Sequence, residues 1–172
     1  MGFKQTSENI AISFGVDETA PGVLTSAEIA LQLDVLNNEI FVVVAADLDV
    51  QTPDAVAGNN TDVTASITST ALPAGAVRPA SLANTNCIAV GQLAIRAAGF
   101  VDSGVSFTRQ AQESYTGSLD YIAIIATNNF TVSILGGGNA GAKGVDGRVF
   151  GFRARADSAT YAALVQSEVL SA

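Results

Sequence analysis

The sequence predicts a mainly β protein, one antiparallel β-sandwich or barrel over residues 1–172 with a single C-terminal helix. Three observations predict it. Short stretches in which apolar and polar residues alternate recur along the chain, the period of a strand with one buried face. Clusters of Gly, Pro, Asn, Asp and Ser separate these stretches at short intervals, as in a sandwich or barrel of many short strands. Only one segment, near the end, carries apolar residues at helical spacing. A chain of 172 residues can bury roughly 70% of its unfolded surface, so one domain needs no metal or disulfide to fold.

The elements follow in order. Residues 1–9 read as an N-terminal arm. Ile10, Ile12 and Phe14 alternate with Ala11 and Ser13, and Ile29, Leu31 and Leu33 alternate in EIALQLD. EIFVVVAADLDV, residues 39–50, begins as a solid apolar run and ends in alternation at Leu48 and Val50. This predicts a long strand, buried on both faces at its start and half-exposed at its end. TDVTASITST, residues 61–70, alternates Val63, Ala65 and Ile67 with polar residues, and its threonines favour strand. Residues 71–83, rich in Ala and Pro, predict a long surface loop or second arm. CIAVGQLAIRA, residues 87–97, shifts phase at Gly91, which predicts a strand with a bulge there, with a short helix as the alternative. GVSFTRQAQ, YIAIIAT, FTVSIL and RVFGFRARA complete the strands, and YIAIIATNNFTVSIL predicts a tight hairpin turning at Asn128 and Asn129. In 157–170, Tyr161, Leu164, Val165 and Val169 share a helical face, with Asp157 or Ser158 as the N-cap. That helix should pack on the sheet or on a neighbour.

Composition narrows the function. Only 14% of residues are charged, so Thr, Ser, Asn and Gly must cover the surface. Such a surface suits contact with other subunits, because burying charge at an interface is costly. The net charge is −8, from 16 carboxylates and 8 basic residues. No basic stripe is present to displace counterions from nucleic acid. No apolar run is long enough to span a membrane, and MGFKQTSENIAISFG lacks the apolar core of a signal peptide, so synthesis in a cytoplasm is expected. MGFKQT also fits the short and common myristoylation pattern at Gly2.

The chain has no histidine, which excludes a Ser-His-Asp triad. Its one cysteine, Cys87, lies in apolar NTNCIAVG and reads as a small buried hydrophobe. A Ser-Lys pair or a Lys-Asn crosslink has only Lys4 and Lys143 to draw on. Zinc lacks ligands. Asp47 and Asp49 point to one face of a strand and, with Asp54 or Asp62, would offer hard oxygens to Ca²⁺, but without the loop and glycine of a calcium motif. A solvated strand face is the plainer reading. Asp17 and Glu18 read as turn residues. Tyr115, Tyr121 and Tyr161 are too scattered to form a sugar-stacking face. Asn59 and Asn129 begin glycosylation patterns that mean nothing without secretion.

GGGNAGAKGVDG, residues 136–147, holds six glycines in twelve positions. Gly136, Gly138 and Gly141 fit G-x-G-x-x-G, and Lys143 stands near the place of a phosphate-loop lysine. A dinucleotide loop needs a helix after it to supply amides and dipole. Here GRVFGFRARA follows and alternates like a strand. The phosphate-loop pattern fails at Ala142 and Gly144. The stretch therefore reads as a flexible connection, or as an arm that orders against a neighbour. The sequence thus offers no catalytic, cofactor-binding or metal-binding set, and an enzyme is not expected.

Over residues 38–135, NEIFVVVAADLDVQTPDAVAG and SLDYIAIIATNNFTVSI resemble small virion structural proteins of large contractile-tailed marine cyanophages. The resemblance implies a virion component and carries no site residues. It agrees with a capsid decoration or cement protein, a homo-oligomer such as a trimer on the major capsid protein, bridging neighbours by repeated contacts. The arms 1–9, 71–83 and 136–147 would order against those neighbours. A tail, baseplate or fibre-associated β-domain is the alternative. A cell-surface or filament-forming bacterial β-protein follows, then a sugar- or calcium-binding module.

Overall fold

The computed structural model describes residues 2–97, 105–110 and 119–170, with backbone pairing alone for 105–110. The strands are β1 (Phe3–Gln5), β2 (Ile10–Asp17), β3 (Thr25–Ala30), β4 (Glu39–Val50), β5 (Thr61–Thr68), β6 (Cys87–Arg96), β7 (Val105–Gln110), β8 (Ala123–Ile125), β9 (Asn129–Gly137) and β10 (Gly144–Ala156). Helix α1 (Ser158–Leu170) follows. Two five-stranded antiparallel sheets form a sandwich. In the first sheet, β10 lies between β4 on one side and β2 and β1 on the other, with β8 beyond β4. The second sheet runs β3-β9-β5-β6-β7.

Alternation places the core. Phe14 and Val16 of β2, Phe41 and Val43 of β4, and Val145 and Val149 of β10 face Val63, Ala65 and Ile67 of β5 and Phe130, Val132 and Ile134 of β9. Phe14 meets Phe130 edge-on across the sandwich, ring centroids 5.8 Å apart. Arg153 closes one end: its guanidinium donates to the carbonyls of Gln32 (3.0 Å) and Leu31 (2.9 Å) and pairs with Glu39 (3.1 Å).

β4 serves two interiors, which explains its solid apolar start. Phe41 and Val43 point into the sandwich, while Ile40 and Val42 point outward into a second cluster with Ala154 and Ala156. Helix α1 covers that outer cluster with Tyr161, Leu164 and Val165. Val43 pairs with Gly151 and Ala45 with Phe150, so Val44 is an extra residue, a β-bulge. The bulge reverses the phase. After it Ala46, Leu48 and Val50 face the core and Asp47 and Asp49 face out, as the closing alternation predicts.

The helix agrees with its sequence signals in part. Asp157 caps it, accepting from Thr160 N at 2.8 Å and from the Thr160 hydroxyl at 3.0 Å. Those donors hold the Asp157 carboxyl below its usual range. Val169, however, is 65% exposed, and Glu168 takes the buried position instead.

Four other expectations are corrected. Residues 3–5 of the supposed N-terminal arm are an edge strand paired with β10, and Gly2 O accepts from Asp157 N. The expected hairpin at Asn128–Asn129 is a crossover, because β8 joins β4 in the first sheet and β9 joins β3 and β5 in the second. A hairpin would satisfy the backbone there. Instead Glu168 accepts from Ala126 N and Thr127 N, Asn128 O accepts from Leu31 N, and Asn128 Oδ1 from Leu33 N. The bulge in β6 falls at Ile88, unpaired between Cys87 and Ala89, while Gly91 pairs regularly with Ala65. A side chain at Gly91 would press on Val50 and Leu48, so this glycine marks close approach of the sheets. Finally, 71–83 is only partly a projecting arm: Pro79 and Ala80 are buried and Ala80 N donates to Ser66 Oγ (3.0 Å), though Val77 remains 80% exposed. Residues 104, 111 and 112 of the expected strand GVSFTRQAQ lie outside the described residues.

Gly151, beside the bulge, has no room for a Cβ, which would meet Val42 O and lie 2.8 Å from the Phe41 ring. Gly151→Ala is expected to lower stability by about 1–3 kcal/mol in a urea melt, the usual cost of overpacking.

Candidate functional site

The glycine-rich stretch is the first place to look for chemistry. Residues 136–137 belong to β9 and 144–147 to β10, so the connection itself is 138–143, and it carries the chain from one sheet to the other. It is not a flexible arm. Glu18, just past β2 and 5% exposed, holds both ends: Oε1 accepts from Gly136 N at 2.7 Å and Oε2 from Lys143 N at 2.9 Å. Asp54 holds the middle, accepting from Ala140 N at 2.8 Å and from Lys143 Nζ at 2.7 Å. Asn139 accepts from Asp54 N (2.9 Å) and donates to Asp62 O (2.9 Å), and Gln51 Oε1 accepts from Gly144 N (2.8 Å). Gly138 takes a left-handed φ of +69°, and a Cβ there would meet Asn60 O at 2.6 Å.

This geometry decides the phosphate question. A phosphate loop turns several free amides toward an anion. Here the amides of Gly136, Ala140 and Lys143 already face the chain's own carboxylates. β10, not a helix, follows. Lys143 is spent on Asp54, with only 8% of its side chain exposed. The Lys143 hydrogen bond, then the Ala140 amide, holds the Asp54 carboxyl below its usual range. The cluster is a polar clasp joining β2, the segment after β4, and both ends of the crossover.

The second place is the outer face of the first sheet beyond the bulge. Ser13, Phe14, Asp47, Leu48, Asp49, Asp146, Gly147 and Arg148 line an open groove of about 600 Å³ there. Cross-strand register puts Arg148 between Ser13 and Asp47, and Asp146 directly opposite Asp49. Arg148 Nε donates to Ser13 Oγ at 3.1 Å, and its guanidinium lies 6.0 Å over the Phe150 ring. Asp47 and Asp49 are exposed on this face, as expected for a solvated strand. The structure does not bring the expected calcium partners to them: Asp54 is in the clasp and Asp62 leans over Gly137 in the other sheet. Among the described residues no three acidic or cysteine groups are placed to share a metal ion.

The remaining candidates are quickly placed. Cys87 is half-buried at the start of β6, and burial pushes its thiol up to about 11, which keeps it protonated and unreactive at neutral pH. Tyr121 packs edge-on against Phe3, and Tyr161, on the face of α1 toward the sheet, has its hydroxyl 3.4 Å from Ala126 O. Neither presents a stacking face. Tyr115 lies outside the described residues. Lys4 is exposed on β1, opposite Arg155. Among the described residues no helix is long and apolar enough to cross a membrane. Sequence reasoning missed the roles of Glu18, read as a turn residue, and of Asp54, read as a possible calcium partner. Both stand in turn-like segments, and no local pattern announces a partner more than eighty residues away.

The chain was compared with known proteins: no protein-family model matches it, and no curated protein does.

Two outcomes test the two places. Glu18→Ala should cost about 1–3 kcal/mol for each buried amide it orphans, read from urea denaturation. Asp146→Asn should raise the melting temperature at low salt by relieving its like-charge contact with Asp49, and the gain should shrink as salt is added.

Proposed function

We propose that the chain is a non-enzymatic structural protein of a virus particle, a capsid decoration protein that stabilises the shell by repeated contacts with its own copies and the major shell protein. One observation carries this reading: large apolar side chains stand out at the tips of the fold, while several of its charged groups are engaged within it. Glu18, Asp54, Lys143, Arg153 and Glu168 all bind within the fold. Leu36 is 92% exposed at the β3–β4 turn, and Val77 (80%) and Leu82 (63%) stand out on the β5–β6 connection. Val169 and Leu170 are exposed at the end of α1. Apolar anchors on a weakly charged surface are what a subunit contact uses, because interface cores favour apolar groups and are depleted in charge. The resemblance of residues 38–135 to cyanophage virion proteins supports the same reading.

Quantitative mass spectrometry of purified particles tests it. Hundreds of copies in simple ratio to the shell protein are expected. A few tens would move the protein to the tail or a vertex, and absence from particles would sink the proposal. A Leu36→Ser variant should bind shells about tenfold more weakly, the ~1.4 kcal/mol of a modest interface anchor, with no change in its own melting temperature.

A further inference from the structure

Among the described residues, the five most exposed large apolar side chains all stand at one end of the sandwich. They are Leu36 (92%), Val77 (80%), Leu170 (77%), Val169 (65%) and Leu82 (63%). Register places them together. Ala30 pairs with Asn129 and Thr68 with Thr131, so the β3–β4 turn and the β5–β6 connection leave their sheet at the same end. Helix α1 finishes there too, because Glu168 accepts from Ala126 N and Thr127 N, and the Thr127 hydroxyl donates to Ser69 O. The clasp lies at the other end, where Asp62 pairs with Gly137. Exposed apolar residues scattered singly are ordinary, but a collection at one end marks a contact surface. Two braced projections on this end carry opposite charges. In the β3–β4 turn, Arg153 donates to Leu31 O and Gln32 O, Glu39 accepts from Asp34 N at 2.8 Å, and Gln32 and Asn38 hold left-handed backbone. This turn presents Leu36 beside the exposed carboxylate of Asp34. In the β5–β6 connection, Ala76 N donates to Pro73 O around Gly75 (φ +83°), and Ala80 N donates to Ser66 Oγ. It presents Val77 beside Arg78, which is exposed and has no hydrogen bond or ion pair among the described residues.

We propose that this end is a two-fold contact with a second copy of the chain, in which Arg78 of each copy meets Asp34 of the other around the shared apolar side chains. It rests on the apolar tips being subunit contacts, and adds which partner they meet. A two-fold contact joins the same surface to itself, so every cross pair occurs twice. That requires a surface that carries both halves of the pair, and this end does. The chain as a whole has a net charge of −8, so a second copy is repelled over most of the surface. Here a free cation and a free carboxylate stand on separate projections, and opposed signs select this mode of approach over others. The projections are already fixed by the fold, so little freedom is lost when they dock. The contact is small, and a small interface is weak: the dimer should have a Kd of about 10–100 µM. The dilute chain therefore melts as a monomer.

Sedimentation equilibrium on the full chain tests this, from about 5 µM to about 1 mM so as to bracket the expected Kd. The natural chain should fit a monomer–dimer equilibrium. Arg78→Asp and Asp34→Arg, each alone, should weaken the dimer about tenfold or more, because both cross pairs become like-charged. An equimolar mixture of the two variants should dimerise about as tightly as the natural chain, since both pairs are then opposite in sign again. A natural chain that is monomeric throughout, or that forms larger assemblies, overturns the proposal. So do reversals that leave the dimer unchanged, and a mixture no tighter than its parts. If Asp34→Arg does not fold, Val77→Ser decides, because Val77 is 80% exposed and supports no packing within the chain. Its dimer should be weaker by a similar factor, and an unchanged dimer overturns the proposal. Monomers throughout in a protein abundant on particles overturn the dimer and leave the virion role. Dimers of a protein absent from particles do the reverse.

Discussion

The long β4–β10 ladder is the constraint on which the rest of the molecule depends. One half of β4 must be apolar on both faces, because it roofs the sandwich core on one side and floors the helix cluster on the other. The other half must be apolar on one face only. A strand cannot change from one regime to the other without changing phase, and the extra residue Val44 supplies the change. Gly151, opposite, makes the room. The helix position, the core register and the outward direction of Asp47 and Asp49 all follow from that one irregularity.

The polar interior follows a consistent scheme. At two crossovers between the sheets, a carboxylate from a distant segment takes up backbone amides that a ladder would have paired. Glu18 does this for the crossover from β9 to β10, and Glu168 for the crossover from β8 to β9. Two sheets connected by short crossovers expose amides that neither sheet can satisfy, and an unsatisfied buried amide is expensive. Low overall charge and a few buried carboxylates thus belong together. Glu18 and Glu168 are structural acids, while others such as Asp47, Asp49 and Asp146 remain at the surface.

Much of this was legible from local pattern. The alternation located the strands, and the solid-then-alternating run of 39–50 foretold a strand with two different halves. Asp157, Tyr161, Leu164 and Val165 marked the helix and its face. Partnership was not legible. YIAIIAT and FTVSIL carry the signal of a hairpin, and both are strands, but a pattern reports which residues are buried and not against which sheet. The same limit hid the site. Glu18 and Asp54 stand among turn residues, and the glycines of 136–147 permit either a loose loop or a tightly clasped one. Only the three-dimensional position of the two carboxylates distinguishes them. Glu168 was masked by a stronger expectation, that the apolar Val169 would fill the buried position on the helix.

The place of β10 in the first sheet also has a consequence during synthesis. This strand lies between β2 and β4, yet it is made more than ninety residues after β4 begins a search for a partner. Until residue 144 leaves the ribosome, β2 and β4 have no neighbour on the edges they will share with it. Long-range pairing of this kind folds slowly and leaves bare apolar edges on the nascent chain. The second sheet has no such delay between β5 and β6, which are adjacent in sequence and in space. The strand β9, between β3 and β5, is likewise made late, so each half of the sandwich waits for one of its inner strands, and prolonged ribosome stalling would leave both exposed.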